Sequence, residues 1–429
     1  MKPLVLVTAP VGTRSGYGSR SRDIVRALVK LDKYDVKVFN VPWGNTPQNA
    51  LMIDHPKDKP IIDNLLVNPN LDRQPDIHIH IVVPNEFQPY GKFNIGITAG
   101  LEATLIPKEW IEGCNRMDLV LASSNFSKEV LLKTVYEEKN QQGQVVNTLQ
   151  VNSPVEVLFE GVDTEVYNTT NEFDPIVVDE LGKIKTDFNY LFVGHWLQGG
   201  FGNDRKDVGR MIHTFLQTFK NQEDQPGLIL KTSGAGYSII DKDVITKRIK
   251  EIQAKFKGES LPPIYFLHGD LTDEQMNQLY NHPKVSAHIS FTHGEGFGRP
   301  LLEATMSGKP VIASAATGHI DFLKPEYSML VNGNYIPVHK DSFPKNIYVE
   351  GQHWFDVNLQ EASNSMKFVK SRYKKFTELA SQQKIINEVE FSFDKMVELL
   401  GTYIDKVPTA VEMKLPKLGK LPKLNKVGS

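Results

Sequence analysis

Short apolar runs alternate with longer amphipathic stretches from the first residues to about residue 404. Leu4 to Thr8, Val36 to Asn40, Asp76 to Val83, Asn94 to Thr98 and Leu119 to Ser123 are brief and mostly apolar, so each reads as a strand. Ile24, Val25, Leu28, Val29 and Leu31 share a helical face behind Ser19 or Ser21, either of which can cap the helix they predict. Pro107 to Asn115 reads as a further helix, and Ser124 or Asn125 caps another. The pattern resumes with Tyr190 to Gly194, Leu228 to Thr232, Ile264 to Leu267, Val285 to Phe291 and Val311 to Ala313. Apolar strands separated by helices predict parallel sheets covered on both faces, hence an α/β protein. A chain of 429 residues is too long for one ordinary domain, and 40% hydrophobic residues suffice for two cores.

The stretch from Val285 to Phe322 adds chemistry to this frame. After its strand, Gly294, Gly296 and Gly298 let the backbone approach a ligand closely. Pro300 stands where a helix begins, Leu301 to Met306 continue it, and Gly308 with Pro310 stop it. A helix opening just above a parallel strand turns unbonded N–H groups and its positive dipole end toward any ligand there, which suits a phosphate. Glu295 in the turn and Glu303 on the helix can face one polyhydroxyl ligand from different directions. The plainer reading makes Glu295 a solvated loop acid and Glu303 a complement to the helix dipole.

EGFGRPLLE, followed by SGKPVIAS and GHIDFL, resembles the E-x7-E signature of retaining glycosyltransferases of family 4. That resemblance implies a GT-B fold, two Rossmann-like domains whose parallel sheets face a central cleft. It implies that Glu295 holds hydroxyls of a donor sugar and Glu303 the nucleotide ribose. The backbone around Gly296, Phe297, Gly298, Leu301 and Leu302 would then lie near the donor diphosphate.

The loop PVGTRSGYGSRSR is not a dinucleotide fingerprint. Gly16 and Gly18 have the first spacing, but Ser21 replaces the third glycine and no acid ends the strand Val36 to Asn40. It resembles instead the SGYG loop of family 4, which places Gly16 and Gly18 in backbone contact with the donor. Arg14, Arg20 and Arg22 either add charge there or are solvated residues of a helix start. His78 and His80 share a strand face, yet no third ligand is suitably spaced, so no metal is expected. The S-x-F-x-K-E-V-L pattern at Ser124 to Leu131 resembles the family's acceptor-side segment, which makes Glu102 a candidate acceptor contact or base; otherwise it is an exposed loop acid. Cys114 reads as a buried spacer, and the polar run 137–153 as a surface hairpin or an insertion. Val155 to Phe159 and GVDTEVYN resemble the family's last strand and exit from the first domain.

In the second half, the family grips the diphosphate with an arginine and a lysine. Here His195 stands where some members place the arginine, and the adjacent Arg205 and Lys206 match the pair other members use. Two cations beside a departing diphosphate stabilise it without a metal. Gly269 and Leu271 resemble the loop that meets the nucleobase through backbone groups, so UDP and GDP donors stay undistinguished. SGAGYS is another glycine turn near the site. Asp241 and Asp243 form a DxD pair ahead of a helix (Val244 to Phe256), where capping accounts for them better than metal binding. FSFDKMVELLGTYI resembles the last helix of the fold, which crosses back onto the first domain. The expected units are residues 1–175 on the acceptor side, 186–385 for the nucleotide sugar, 386–404 for the returning helix and 405–429 for a basic tail.

A net charge of −2 gives no general attraction to nucleic acid or anionic membrane. The single cysteine excludes an internal disulfide, and no leader or stretch of transmembrane length is evident, so a soluble cytoplasmic protein is expected. The tail repeats KLPKLGKLPKLNK, a solvated segment by composition and otherwise a basic arm for DNA, an anionic membrane or another protein. The expected activity is sugar transfer from a UDP- or GDP-linked donor to a hydroxyl of a glycan, lipid or modified DNA, with retention, no metal and no cofactor. One alternative is a DNA-modifying enzyme of phage type acting on a hydroxymethylated base, supported only by the tail; a second is a GT-B epimerase or binding protein.

Overall fold

The computed structural model describes residues 2–68, 70–197, 199–234, 238–342 and 347–407. Its first sheet is built from β1 (Leu4–Ala9), β2 (Asp35–Asn40), β3 (Ile77–Ile81), β4 (Phe93–Thr98), β5 (Leu119–Ala122) and, after a hairpin of β6 (Tyr136–Lys139) and β7 (Val145–Leu149), β8 (Val155–Val157). The order is β2-β1-β3-β4-β5-β8 and every pairing is parallel, with Val5 opposite Val36 on one side and Ile77 on the other. β1 and β3 are buried throughout, the burial that their apolar runs predict. The second sheet contains β9 (Asn189–His195), β10 (Gly227–Ser233), β11 (Ile264–Leu267), β12 (Ala287–Ser290), β13 (Val311–Ser314) and β14 (Met329–Val331). It is also wholly parallel, in the order β11-β10-β9-β12-β13-β14. An antiparallel hairpin, β15 (Gly333–Pro337) with β16 (His353–Val357), follows it.

Two crossings tie the domains together. The helix Phe393–Ile404 returns to the first domain and lies along the helix Gly16–Leu31 so closely that a side chain at Gly401 would meet Leu31. Tyr403 donates its hydroxyl to the Val157 carbonyl at 2.9 Å, and Ser392 bridges to Val162. The second crossing was not legible in the sequence: Trp354 of β16 and Val338 just past β15 are buried among Val82, Phe87, Trp110 and Ile111 of the first domain.

The local departures have physical causes. The first long helix starts at Gly16 with Ser15 as its cap, not Ser19 or Ser21, and Ser15 Oγ accepts from Gly18 N at 3.0 Å. Gly18 is required there, because a Cβ would come within 2.1 Å of the Thr13 carbonyl oxygen. The helix over Asp241 and Asp243 begins at Ile239, so Asp241 closes a capping box with Ser238 and Asp243 lies inside the helix. His78 bonds Thr8 Oγ1 at 2.9 Å, His80 accepts from Gln88 N at 3.1 Å, and burial pushes the two rings down to about 3 and about 4. Cys114 is buried, and burial pushes its thiol up to about 12. No helix among the described residues is long and apolar enough to cross a membrane. The centre of SGAGYS (235–237) and the basic tail from residue 408 lie outside the described residues.

Candidate active site

Parallel sheets gather their following loops at the carboxyl ends of the strands, where ligands of such folds bind. Both sheets turn those ends to one interdomain cleft of about 710 Å³. The turn after β1 contributes Arg14, Ser15, Gly16 and Tyr17, and the loop after β4 contributes Glu102. From the other side come His195 at the end of β9, Lys231 near the end of β10, Leu271 after β11, and Glu295 to Arg299 with Glu303 after β12.

The glycine turn is shaped by close approaches. Gly298 has φ of 97° and precedes the helix Arg299–Thr305, a backbone that L side chains rarely adopt. A Cβ at Gly294 or Gly296 would meet the backbone of Glu102 or Ala99 at 2.6 Å, so the turn lies directly against the loop after β4 of the first domain. Glu295 is held by its own backbone: its N–H donates to Thr317 Oγ1 at 3.0 Å and its carbonyl accepts from Gly318 N at 2.9 Å. Its side chain is only 7% exposed, which for an unpaired carboxylate would be costly. Lys206 Nζ donates to its Oε1 at 2.5 Å, and Arg205 Nη1 lies 3.6 Å from Oε2 and 3.2 Å from Glu102 Oε1. Burial pushes the Glu295 carboxyl up, but Lys206 and Arg205 outweigh it and hold it below the usual glutamate value. Lys206 is itself lowered, burial prevailing over the attraction of Glu295, whereas Glu102 and Glu295 carry Arg205 upward against its burial.

Glu303 sits in a different environment. It accepts from Arg299 Nε at 2.8 Å and from the Tyr280 hydroxyl at 3.3 Å, yet burial dominates and pushes its carboxyl up to about 7. Arg299 also pairs with Asp23 of the first domain, and Arg26 links Asp23 to Asp58. Arg14 pairs with Asp270 across the cleft mouth. Ion pairs therefore cross the cleft at Arg205 with Glu102, Arg299 with Asp23 and Arg14 with Asp270.

Of the residues singled out in the sequence, Gly16, Glu102, Arg205, Lys206, Leu271, Glu295, Gly296, Phe297, Gly298 and Glu303 line the cleft. Gly18 packs on Thr13 behind it. Leu301 and Leu302 are buried in the core, and their N–H groups donate to the Gly298 carbonyl, so they do not present free amides to a ligand. Gly269 takes the Lys231 ammonium on its carbonyl at 2.5 Å. Arg20 is buried and ties its helix to the segment after β8 through the Phe159 carbonyl at 2.7 Å, whereas Arg22 bonds the carbonyls of Val11 and Thr13 and so braces the first turn. His195 lies against Ser233 Oγ at 3.2 Å; burial, helped by Lys206 and Arg205, pushes its ring down to about 4. Those causes favour the neutral ring, which carries no charge to match that of an arginine. Lys231, a cleft cation near the end of an apolar strand, and Arg299, inside the glutamate signature, were not legible as site residues in the sequence.

Asp207, His293 and Asp356 also bring potential metal ligands within 4.8 Å of one another behind the Arg205 loop. Arg210 chelates Asp207 at 2.8 and 3.0 Å and pairs with Asp356, so its guanidinium already compensates both acids.

Two Rossmann-like parallel sheets around a cleft lined with buried charge define a GT-B protein. Residues 212–347 match the family of glycosyl transferases group 1: the chain carries a group 1 domain and is a glycosyltransferase. Among solved structures it is similar to HepE from Anabaena in complex with UDP and glucose, at 14% identity and TM-score 0.60, covering 94% of this chain and 99% of that one. It is also similar to sucrose-phosphate synthase from Thermosynechococcus elongatus, at 12% identity and TM-score 0.62 over 95% and 99% of the two chains. A structure from E. coli bound with UDP-2-fluoro glucose matches at 11% identity and TM-score 0.58 over 94% and 99%. At such identities these likenesses establish the shared fold. No match is found among curated protein sequences.

Proposed function

We propose that the enzyme is a retaining, metal-independent glycosyltransferase of family 4 that moves a sugar from a UDP- or GDP-linked donor to an acceptor hydroxyl in the cytoplasm. The observation that carries this reading is the pairing of Lys206 and Arg205 with the buried Glu295 on the cleft face of the second domain. Cations held by carboxylates before the donor arrives are already desolvated and oriented for a diphosphate. The donor phosphates take over Arg205 and Lys206, with Lys231 as a further cation beside the nucleotide loop. Glu295, released from Lys206, accepts hydroxyls of the sugar, and Glu303 accepts those of the ribose. HepE, of the same fold, holds UDP and glucose, which supports a nucleotide-sugar donor.

The bond from the anomeric carbon to the diphosphate oxygen breaks, leaving an oxocarbenium-like sugar and an extra negative charge on the diphosphate. Arg205 and Lys206 stabilise that charge without a metal. The acceptor oxygen, arriving past Glu102, attacks from the face the diphosphate leaves, and its proton passes to a diphosphate oxygen. Closure of the cleft excludes water that would otherwise hydrolyse the donor. The test is a screen of UDP- and GDP-sugars for nucleotide release in the presence of a chelator, with glycan, lipid and hydroxymethylated-DNA acceptors. Release unaffected by chelator, and a product whose anomeric configuration by NMR equals the donor's, are expected. An inverted product, or loss of activity with chelator, contradicts the proposal.

A further inference from the structure

We infer that His293 is a positioning residue that couples the acceptor-side loop of the first domain to the loop carrying Arg205 and Lys206; the kinetic part of this inference rests on the transferase reading above. His293 precedes the glycine turn and is fully buried. Its ring stacks on Trp354 at 4.1 Å with an interplanar angle of 7°. Nδ1 lies 2.7 Å from the Phe355 carbonyl and Nε2 lies 3.2 Å from the Gly202 carbonyl. Asp356 Oδ1 stands 3.6 Å from Nδ1 and Asp207 Oδ2 stands 3.9 Å from Nε2, with Arg210 spanning the two acids.

Each contact leads to a different part of the site. The Phe355 carbonyl belongs to β16, whose Phe355 N–H also donates to the His293 carbonyl at 3.1 Å. The same strand is bonded to the loop of Glu102: Thr104 N donates to the His353 carbonyl and His353 N to Thr104 Oγ1, each at 2.9 Å. Gln352 adds a bond to the Leu105 carbonyl at 2.9 Å. The Gly202 carbonyl lies in the loop that ends at Arg205 and Lys206, and the His293 N–H donates to the Arg205 carbonyl at 2.9 Å. One buried ring therefore stands where the acceptor-side loop, the donor turn and the cation loop meet. A rigid aromatic plane stacked on Trp354 and seated between the Phe355 and Gly202 carbonyls, its one N–H bonded to one of them, transmits the position of one loop to the other, and a flexible side chain does not. A shift of about 1 Å in the cations would lower turnover about 100-fold.

The variants are His293→Phe, which keeps the stack on Trp354 and loses both polar contacts, His293→Asn, which keeps a donor for Phe355, and His293→Gln, which reaches toward Gly202. Circular dichroism confirms the fold of each. Hydrogen exchange read on residues 101–105 and 199–206 is expected to rise in both segments of His293→Phe, in 101–105 more for Gln than for Asn, and in 199–206 more for Asn than for Gln. In turnover, His293→Phe is expected to lower kcat for transfer about 10- to 100-fold with the donor KM changed far less, and to raise the fraction of donor lost to hydrolysis. Unchanged exchange in both segments, or a wild-type ratio of transfer to hydrolysis in His293→Phe, overturns the inference. If the wild-type protein releases no nucleotide from any donor, the transferase reading fails instead, and the exchange measurement alone decides the coupling.

Discussion

The two walls of the cleft are built differently. On the second domain, the buried Glu295 and Glu303 are matched at hydrogen-bond distance to the half-buried Lys206 and Arg299. The first adds an aromatic surface to its own charges: Tyr17 stacks on Trp43 at 4.2 Å, its hydroxyl lies 3.0 Å from Thr98 Oγ1, burial pushes that phenol up to about 12, and Arg22, Lys57 and the buried Asp23 and Glu160 line the cleft beside it. Glu102 is the first-domain acid that touches the cation pair. Carboxylates and cations paired within the second wall suit a reaction whose charge change is always the same, and the ring surface that the first wall adds can vary with the acceptor.

The contrast sharpens most at Glu295. Glu295→Gln keeps the size of the side chain, leaves Lys206 without its counter-charge and is expected to lower donor turnover about 100- to 1,000-fold in a nucleotide-release assay. Glu102→Gln, on the opposite wall, is expected to act on acceptor KM, and an equal loss of turnover in both variants would erase the distinction between the walls.

Glu303 supplies the next effect, and its sign is fixed. The folded carboxyl keeps its proton to about pH 7, whereas the ordinary glutamate value is 4.5. Between those values the folded state binds the extra proton, so its stability falls as pH rises through that window, by roughly 3 kcal/mol at most. Glu303→Gln should flatten that slope in urea titrations, while donor KM of the wild type rises below pH 7 as the carboxylate is lost. A slope unchanged in Glu303→Gln would remove Glu303 as its source.

Two glycines of the first helix separate packing from function. Gly18→Ala drives a methyl group into the Thr13 carbonyl and is expected to destabilise the protein by about 1–3 kcal/mol. Gly16→Ala has open space before it and a better helix former in place, so it should leave stability equal or higher by up to about 1 kcal/mol while obstructing the cleft. Denaturant midpoints and nucleotide release on the same samples distinguish them. The smallest effect belongs to Arg14→Ala: its pair with Asp270 is substantially solvated, and the change should stay below about 1 kcal/mol in urea titration.

Both sheets and the glutamate turn were legible because their signals are contiguous: apolar runs, three spaced glycines and a proline. The start of the first helix was not, since Ser15, Ser19 and Ser21 are equivalent caps by local rules, and the choice rests on Gly18 fitting against Thr13. Leu301 and Leu302 looked like ligand amides from their place at a helix start; the tight turn at Gly298 takes both N–H groups for itself. Arg299 with Asp23, and Trp354 in the core of the other domain, join residues more than two hundred positions apart, which no periodicity reveals.

The most direct measurement is a crystal structure of the protein soaked with UDP or GDP. The account predicts the diphosphate within hydrogen-bond distance of Arg205 and Lys206, with Lys206 turned from Glu295 to phosphate and the ribose at Glu303. A nucleotide seated elsewhere, with the Lys206 to Glu295 pair intact, would contradict it.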